Sequence, residues 1–124
     1  MAKRIPKGWH SVTPRLVARD PATLVKFLKR AFAATGDFRT EMPSVIRIGD
    51  SLVMVSGVGP RKAMPALLYL YVDDIDATYR RALKAGAVSL EEPQDLPYGD
   101  RRGMVKDPGG NIWQIATHMI GRRR

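Results

Sequence analysis

Val12-Thr13-Pro14-Arg15-Leu16-Val17-Ala18-Arg19-Asp20-Pro21 opens a pattern that the chain writes twice. The stretch up to Arg19 alternates as a half-buried strand does, and Leu24, Val25, Leu28, Ala31 and Phe32 then follow at helical spacing. Asp20 suits the helix N-cap, where its carboxylate accepts orphan amide hydrogens, and Pro21 suits the first helical position, where its missing donor is no loss. Gly36 is expected to end the helix. Three short strands are predicted next, Phe38 to Met42, Ser44 to Ile48 and Leu52 to Val55, the last two joined by the hairpin signal Gly49-Asp50. The first half thus reads β-α-β-β-β.

In the second half Leu67 to Val72 predicts a strand, Asp74 a cap, and Ile75, Tyr79, Ala82 and Leu83 a helix running to Gly86. Setting Asp20 on Asp74 puts Val25 on Tyr79 and Leu28 on Ala82. Leu52-Val53-Met54-Val55 and Ile112-Trp113-Gln114-Ile115 correspond as the terminal strands of the two halves, and the whole implies an internal duplication of about 54 residues. The expected organisation is a single α+β domain over 1–124, with two tandem βαβββ modules at about 11–56 and 66–118, a linker at about 57–65 and a basic tail at each end. The linker glycines Gly57 and Gly59 lack the helix and GK[ST] that a phosphate loop needs.

A chain of 124 residues has room for one core. Hydrophobic residues at 44% and charged residues at 27% are ordinary for a soluble globular domain. No run approaches the roughly 18 to 20 apolar residues of a membrane-spanning helix, so no membrane association is expected. Residues 1–7 are basic but lack the apolar segment of a secretory signal. Cysteine is absent, which excludes a disulfide scaffold, a thiolate nucleophile and cysteine-ligated metal, and accords with a reducing cytoplasm as the expected location. The net charge of +9 invites a nucleic-acid reading, yet Lys3, Arg4, Lys7, Arg122, Arg123 and Arg124 supply six of those charges and leave +3 on residues 8–121. Short basic tails are ordinarily solvated ends, so nucleic acid is not the expected partner.

Five segments carry a resemblance to a known family: Thr13-Pro14-Arg15-Leu16-Val17 leading to Asp20, Phe27-Leu28-Lys29-Arg30-Ala31-Phe32, Tyr71-Val72-Asp73-Asp74-Ile75, Tyr98-Gly99-Asp100-Arg101, and above all Asp107-Pro108-Gly109-Gly110-Asn111-Ile112-Trp113. Together they make the chain similar to the glyoxalase, bleomycin-resistance and extradiol-dioxygenase superfamily, the vicinal oxygen chelate fold. Among its branches the chain most resembles PhnB-like and antibiotic-binding members. The resemblance implies paired βαβββ modules curled into a curved mixed sheet, a cup completed by a second copy in a homodimer. It also implies where metalloenzymes of the superfamily hold a divalent ion, on the first and last strands of each module. Those positions fall on Thr13, Leu67, Met54 and Gln114. Such an ion needs about three or four nitrogen or anionic oxygen ligands, and these four residues supply none that is strong. No metal and no other cofactor is therefore expected.

Strand side chains alternate, so residues in phase with Thr13 and Leu67 are predicted to face the concave side: Arg15, Val17, Tyr69 and Tyr71, with Leu52, Met54, Ile112 and Gln114 on the terminal strands. Leu16, Leu68, Leu70, Val72, Val53, Val55, Trp113 and Ile115 then turn to the helices. The expected ligand-binding set is Thr13, Arg15, Met54, Leu67, Tyr69, Tyr71, Tyr98, Arg101 and Gln114, an apolar wall with few oriented polar groups. The tyrosines offer ring faces and hydroxyls, Gln114 donates and accepts, and Arg15 or Arg101 suits a carboxylate or phosphate. Plainer readings stand beside these. Strand tyrosines often just cover a half-buried sheet, Asp100-Arg101 reads equally as a local ion pair, and Trp9 as a tail anchor rather than a lid. His10 and His118 read as rim or edge residues, Asp73, Asp74 and Asp76 as first-turn carboxylates favoured by the helix dipole, and Glu91 and Glu92 as a solvated loop.

The functional expectation is a metal-free protein that binds a small molecule, sequestering an aromatic neutral or anionic antibiotic or metabolite, as antibiotic-resistance members of the resembled superfamily do. The alternative is a divergent glyoxalase-like lyase, isomerase or dioxygenase, which rests on the resemblance alone because no base is identifiable. An adaptor for nucleic acid or an acidic partner, driven by the tails, is a third class.

Overall fold

Asp20 and Asp74 cap the two helices around which the chain is arranged: their carboxylates accept the amide hydrogens of Thr23 and Ala77, each at 3.1 Å. A computed structural model describes residues 4–119, so Lys3 and Arg122 to Arg124 of the basic tails lie outside the described residues. The elements are β1 (Arg15–Ala18), α1 (Pro21–Phe32), β2 (Ser44–Ile48), β3 (Ser51–Gly57), β4 (Leu67–Tyr71), α2 (Ile75–Lys84), β5 (Val88–Asp95), β6 (Asp100–Lys106) and β7 (Ile112–His118). This is an α+β fold with two mixed sheets, ordered β1-β3-β2 and β4-β7-β6-β5. In each, the strand before the helix runs parallel to the last strand of its half, with Arg15 beside Met54 in one and Tyr69 beside Gln114 in the other. Residues that the duplication equates thus pair in the same way.

The halves differ in one strand. Residues 38–42, expected to be extended, form no strand, because Thr35 takes the free edge of β2 through two main-chain hydrogen bonds with Arg47 at 2.9 and 3.0 Å. The following chain turns away, its Arg39 amide held by Ser44 Oγ at 2.8 Å. Helix α1 also stops earlier than Gly36: Ala33 adopts the left-handed conformation at φ 56° and its neighbour Ala34 donates to Leu28 O. Gly36 has a different task. At φ 123° it lets the chain pass the Val45 carbonyl, with which any Cβ would collide. Glu91 and Glu92 lie within β5 rather than in a loop, and Thr13 precedes β1.

One core serves both halves. Leu16, Leu24, Phe27, Leu28, Ile46 and Val55 pack with Ile75, Ala82, Trp113 and Ile115 between the sheets and the helices. Phe32 meets Trp113 edge-on at 4.9 Å, joining α1 to the second sheet. Trp113 is structural, as its phase predicts: its Nε1 donates to Asp107 Oδ2 at 2.8 Å. The buried Asp107 carboxylate also accepts the amides of Gly109 and Asn111, and Asn111 Oδ1 accepts Ala66 N at 2.9 Å, so the Asp107 to Trp113 turn fastens the entry of β4 to that of β7. Among the described residues no helix is long and apolar enough to cross a membrane.

Candidate functional site

The second sheet turns its even phase on β6 and β7 and its odd phase on β4 away from α2. The register sets Tyr71 beside Ala116 and Ala116 beside Arg102, and sets His118 opposite Asp100. Ala116 carries only a methyl group, so the two tyrosine side chains reach across β7 to the carboxylate on β6. Tyr69 Oη donates to Asp100 Oδ2 at 2.6 Å and Tyr71 Oη donates to the same oxygen at 2.8 Å. His118 Nδ1 lies 2.8 Å from Asp100 Oδ1. The tyrosine rings stand 5.2 Å apart and tilted.

Asp100 is the hub, with 2% of its surface exposed. Burial alone would raise its carboxyl, but the donors Tyr69, His118 and Tyr71 outweigh it and hold the group below the ordinary carboxylate range. The same contact acts in reverse on the phenols. Tyr69 is pushed up by burial and by its bond to Asp100, and Tyr71 chiefly by its bond to Asp100. An ionised Asp100 accepts only, so His118 donates to it from Nδ1. Hydrogen-bond direction propagates outward too. Since Tyr69 gives its proton to Asp100, Tyr98 Oη donates to Tyr69 Oη at 3.0 Å and in turn accepts from Arg102 Nη1 at 3.3 Å. Arg102 is fixed by Glu91 at 3.2 Å, while its buried Nε has no partner.

Of the residues singled out in the sequence, Tyr69, Tyr71 and Tyr98 meet in this network, and Gln114 and Leu67 share its face. Arg15 and Met54 lie on the first sheet, where Arg15 Nε donates to Ser56 Oγ at 2.9 Å beside a separate cavity of about 460 Å³. Arg101 does not join the group. Its guanidinium reaches Asp76 on α2 at 3.0 Å and Asp95 at 3.1 Å, because its odd phase on β6 turns it toward the helix. The expected Asp100-Arg101 pair is therefore not formed, and Asp76 is held below the ordinary carboxylate range chiefly by Arg101. Sequence reading missed Asp100, Arg102 and His118. The signal for His118 was present: the phase that turns Gln114 inward, carried four residues further, reaches it.

The donor set at Thr13, Leu67, Met54 and Gln114 does not fit a divalent ion: it offers a hydroxyl, a thioether and an amide, and no ionisable group. Among the described residues no three His, Asp or Glu gather as metal ligands.

The Glyoxalase/Bleomycin resistance protein/Dioxygenase superfamily profile matches residues 10–115. The chain belongs to that superfamily. An uncharacterized protein of Mycobacterium bovis is 32% identical over 123 residues, spanning 85% of this chain and 81% of that one. Solved structures superpose on the chain. TioX from Micromonospora sp. ML1 does so with a TM-score of 0.76 and 25% identity, over 88% of this chain and 98% of that one. The fosfomycin resistance protein FosX from Mesorhizobium loti gives 0.68 at 18% identity, over 90% and 93% of the two chains, a likeness of fold.

Proposed function

We propose that this superfamily member binds a small aromatic molecule without a metal ion, sequestering an antibiotic or metabolite in the manner of the antibiotic-binding branch, in the cytoplasm. The observation that carries the reading is the Asp100 network on the open face of the second sheet. It holds two tyrosine rings and their hydroxyls in fixed positions next to Gln114, a pre-organised surface of the kind ligand sites use. The weak donor set at the superfamily's ion-holding positions supports the metal-free part.

A second copy of this chain is the proposed cover. Strand β4 has a neighbour on one side only, and Leu67, Tyr71 and Tyr98 on the same face are 67%, 59% and 57% exposed. A homodimer formed there encloses the ligand between chains. A divergent lyase, isomerase or dioxygenase is the second reading, and one observation favours its acid–base form: a buried carboxylate holds His118 Nδ1 and orients the imidazole.

Calorimetric titration of the purified protein with aromatic antibiotics and metabolites, beside metal analysis and a turnover assay with oxoaldehydes and catechols, tests these statements. Binding that is weakened in Tyr69→Phe and Gln114→Ala, with no turnover, is the expected result. Stoichiometric metal, or turnover abolished by His118→Ala, would overturn it in favour of an enzyme. Sedimentation as a monomer at micromolar concentration would remove the dimer.

A further inference from the structure

At the far end of β4 and β7 a cavity of about 460 Å³ is lined by Tyr71, Val72, Asp73, Thr117 and His118. Each polar group in it can be followed to its partner. Thr117 Oγ1 has spent its proton on Val72 O at 2.8 Å and accepts from Ile75 N at 2.9 Å. Tyr71 has given its proton to Asp100 and keeps an oxygen lone pair. His118 Nδ1 is taken up by Asp100. Asp73 makes no side-chain hydrogen bond or ion pair among the described residues and sits at the cavity wall. Asp73 and Tyr71 therefore present acceptors of hydrogen bonds to an occupant and hold no free donor.

Charge points the same way. Arg101 is spent on Asp76 and Asp95, and Arg102 on Glu91 and Tyr98. The adjoining cavity of about 690 Å³ shares Tyr71, Val72 and Asp73 and contains one cation, Arg81, which is tied to Ala31 O and Thr78 Oγ1. The chain's positive charge is concentrated at its ends, and charges beyond about 8 to 10 Å are largely screened at ordinary ionic strength. The local surroundings decide here, against the neutral or anionic ligand that net charge suggests.

We propose that this end of the face recognises a primary or secondary ammonium group carried on a flat aromatic body. The ammonium hydrogens go to the Asp73 carboxylate and Tyr71 Oη, and the body lies along the rings of Tyr71 and Tyr69, which also attract a cation through their π faces. The inference rests on the reading that the second sheet's open face binds small molecules, and adds the class of ligand.

The test is calorimetric titration of the full chain with naphthylmethylamine, naphthylmethanol and naphthoate, which share a ring and differ in head group, with tyrosine-ring NMR shifts recorded alongside. The amine is expected to bind about tenfold more tightly than the alcohol, and naphthoate more weakly still. Asp73→Asn, an exposed substitution with little demand on the fold, is expected to bring the amine to the level of the alcohol and leave the alcohol unchanged. Alcohol or naphthoate binding as tightly as the amine, with Tyr69 and Tyr71 shifts, overturns the ammonium assignment while leaving the binding face intact. Amine affinity unaltered by Asp73→Asn overturns it as well. No binding of any of the three overturns both the assignment and the reading beneath it.

Discussion

His118 and Asp100 occupy directly opposed positions of the β6–β7 ladder, and their side chains meet at 2.8 Å on the face that turns away from α2. One carboxylate thus serves three strands, taking donors from β4 and β7 while standing at the start of β6. Gly99, at φ 99°, sets the turn that delivers it, and its carbonyl accepts Met119 N at 2.8 Å to close the ladder beyond His118.

Asp100→Asn is expected to destabilise the fold by about 1 to 3 kcal/mol, because an amide nitrogen replaces one oxygen of the buried acceptor that Tyr69, Tyr71 and His118 share. Its pH dependence has a definite sign. The folded carboxyl titrates below its unfolded value, so its contribution is present above the ordinary carboxylate range and fades as pH falls through the lower folded value. Urea denaturation at neutral and acid pH checks this: the gap between the parent protein and the variant narrows in acid.

Tyr69 and Tyr71 are expected to ionise above the ordinary phenol range, the first through burial and Asp100 and the second chiefly through Asp100. The stability that their protonated state supplies is complete below the ordinary phenol value and declines as pH rises through the folded values. In an ultraviolet titration, Tyr69 and Tyr71 should therefore ionise late. In Asp100→Asn both should move back toward ordinary behaviour.

Asp107→Ala is expected to cost roughly 3 kcal/mol or more, since it strands Trp113 Nε1 and the amides of Gly109 and Asn111 at a buried site. Chemical denaturation followed by tryptophan fluorescence reads the loss. A variant as stable as the parent would show that water replaces the carboxylate.

Arg101→Ala separates the fold from the site. Its ion pairs with Asp76 and Asp95 are partly exposed, so stability should fall by less than about 1 kcal/mol. Ligand affinity should be unchanged within experimental error, while Tyr69→Phe weakens it. A folded Arg101→Ala protein that no longer binds would return this residue to the site.

Gly36→Ala is expected to lose about 1 to 3 kcal/mol, because the left-handed backbone and the nearby Val45 carbonyl leave no room for a Cβ. Thermal unfolding of the variant measures it, and an unchanged midpoint would mean that the 33–36 turn rearranges freely.

The sequence by itself determined the duplicated α+β plan, the caps at Asp20 and Asp74, the strand phases and the structural place of Trp113. Those are properties of neighbours along a chain, where a period of two or of 3.6 residues decides which side chains share a face. It did not determine the fate of residues 38–42, because Thr35 reached the β2 edge first and strand edges are claimed in space. Nor did it assign Asp100, which looked like a partner for Arg101 until β6 turned the two to opposite sides. The acceptor-lined site depends on Tyr69, Tyr71, Asp100 and His118 meeting from three strands separated by up to 49 residues, across an alanine small enough to let them touch. Such a meeting is set by strand order and register, and these exist only once the sheet has formed.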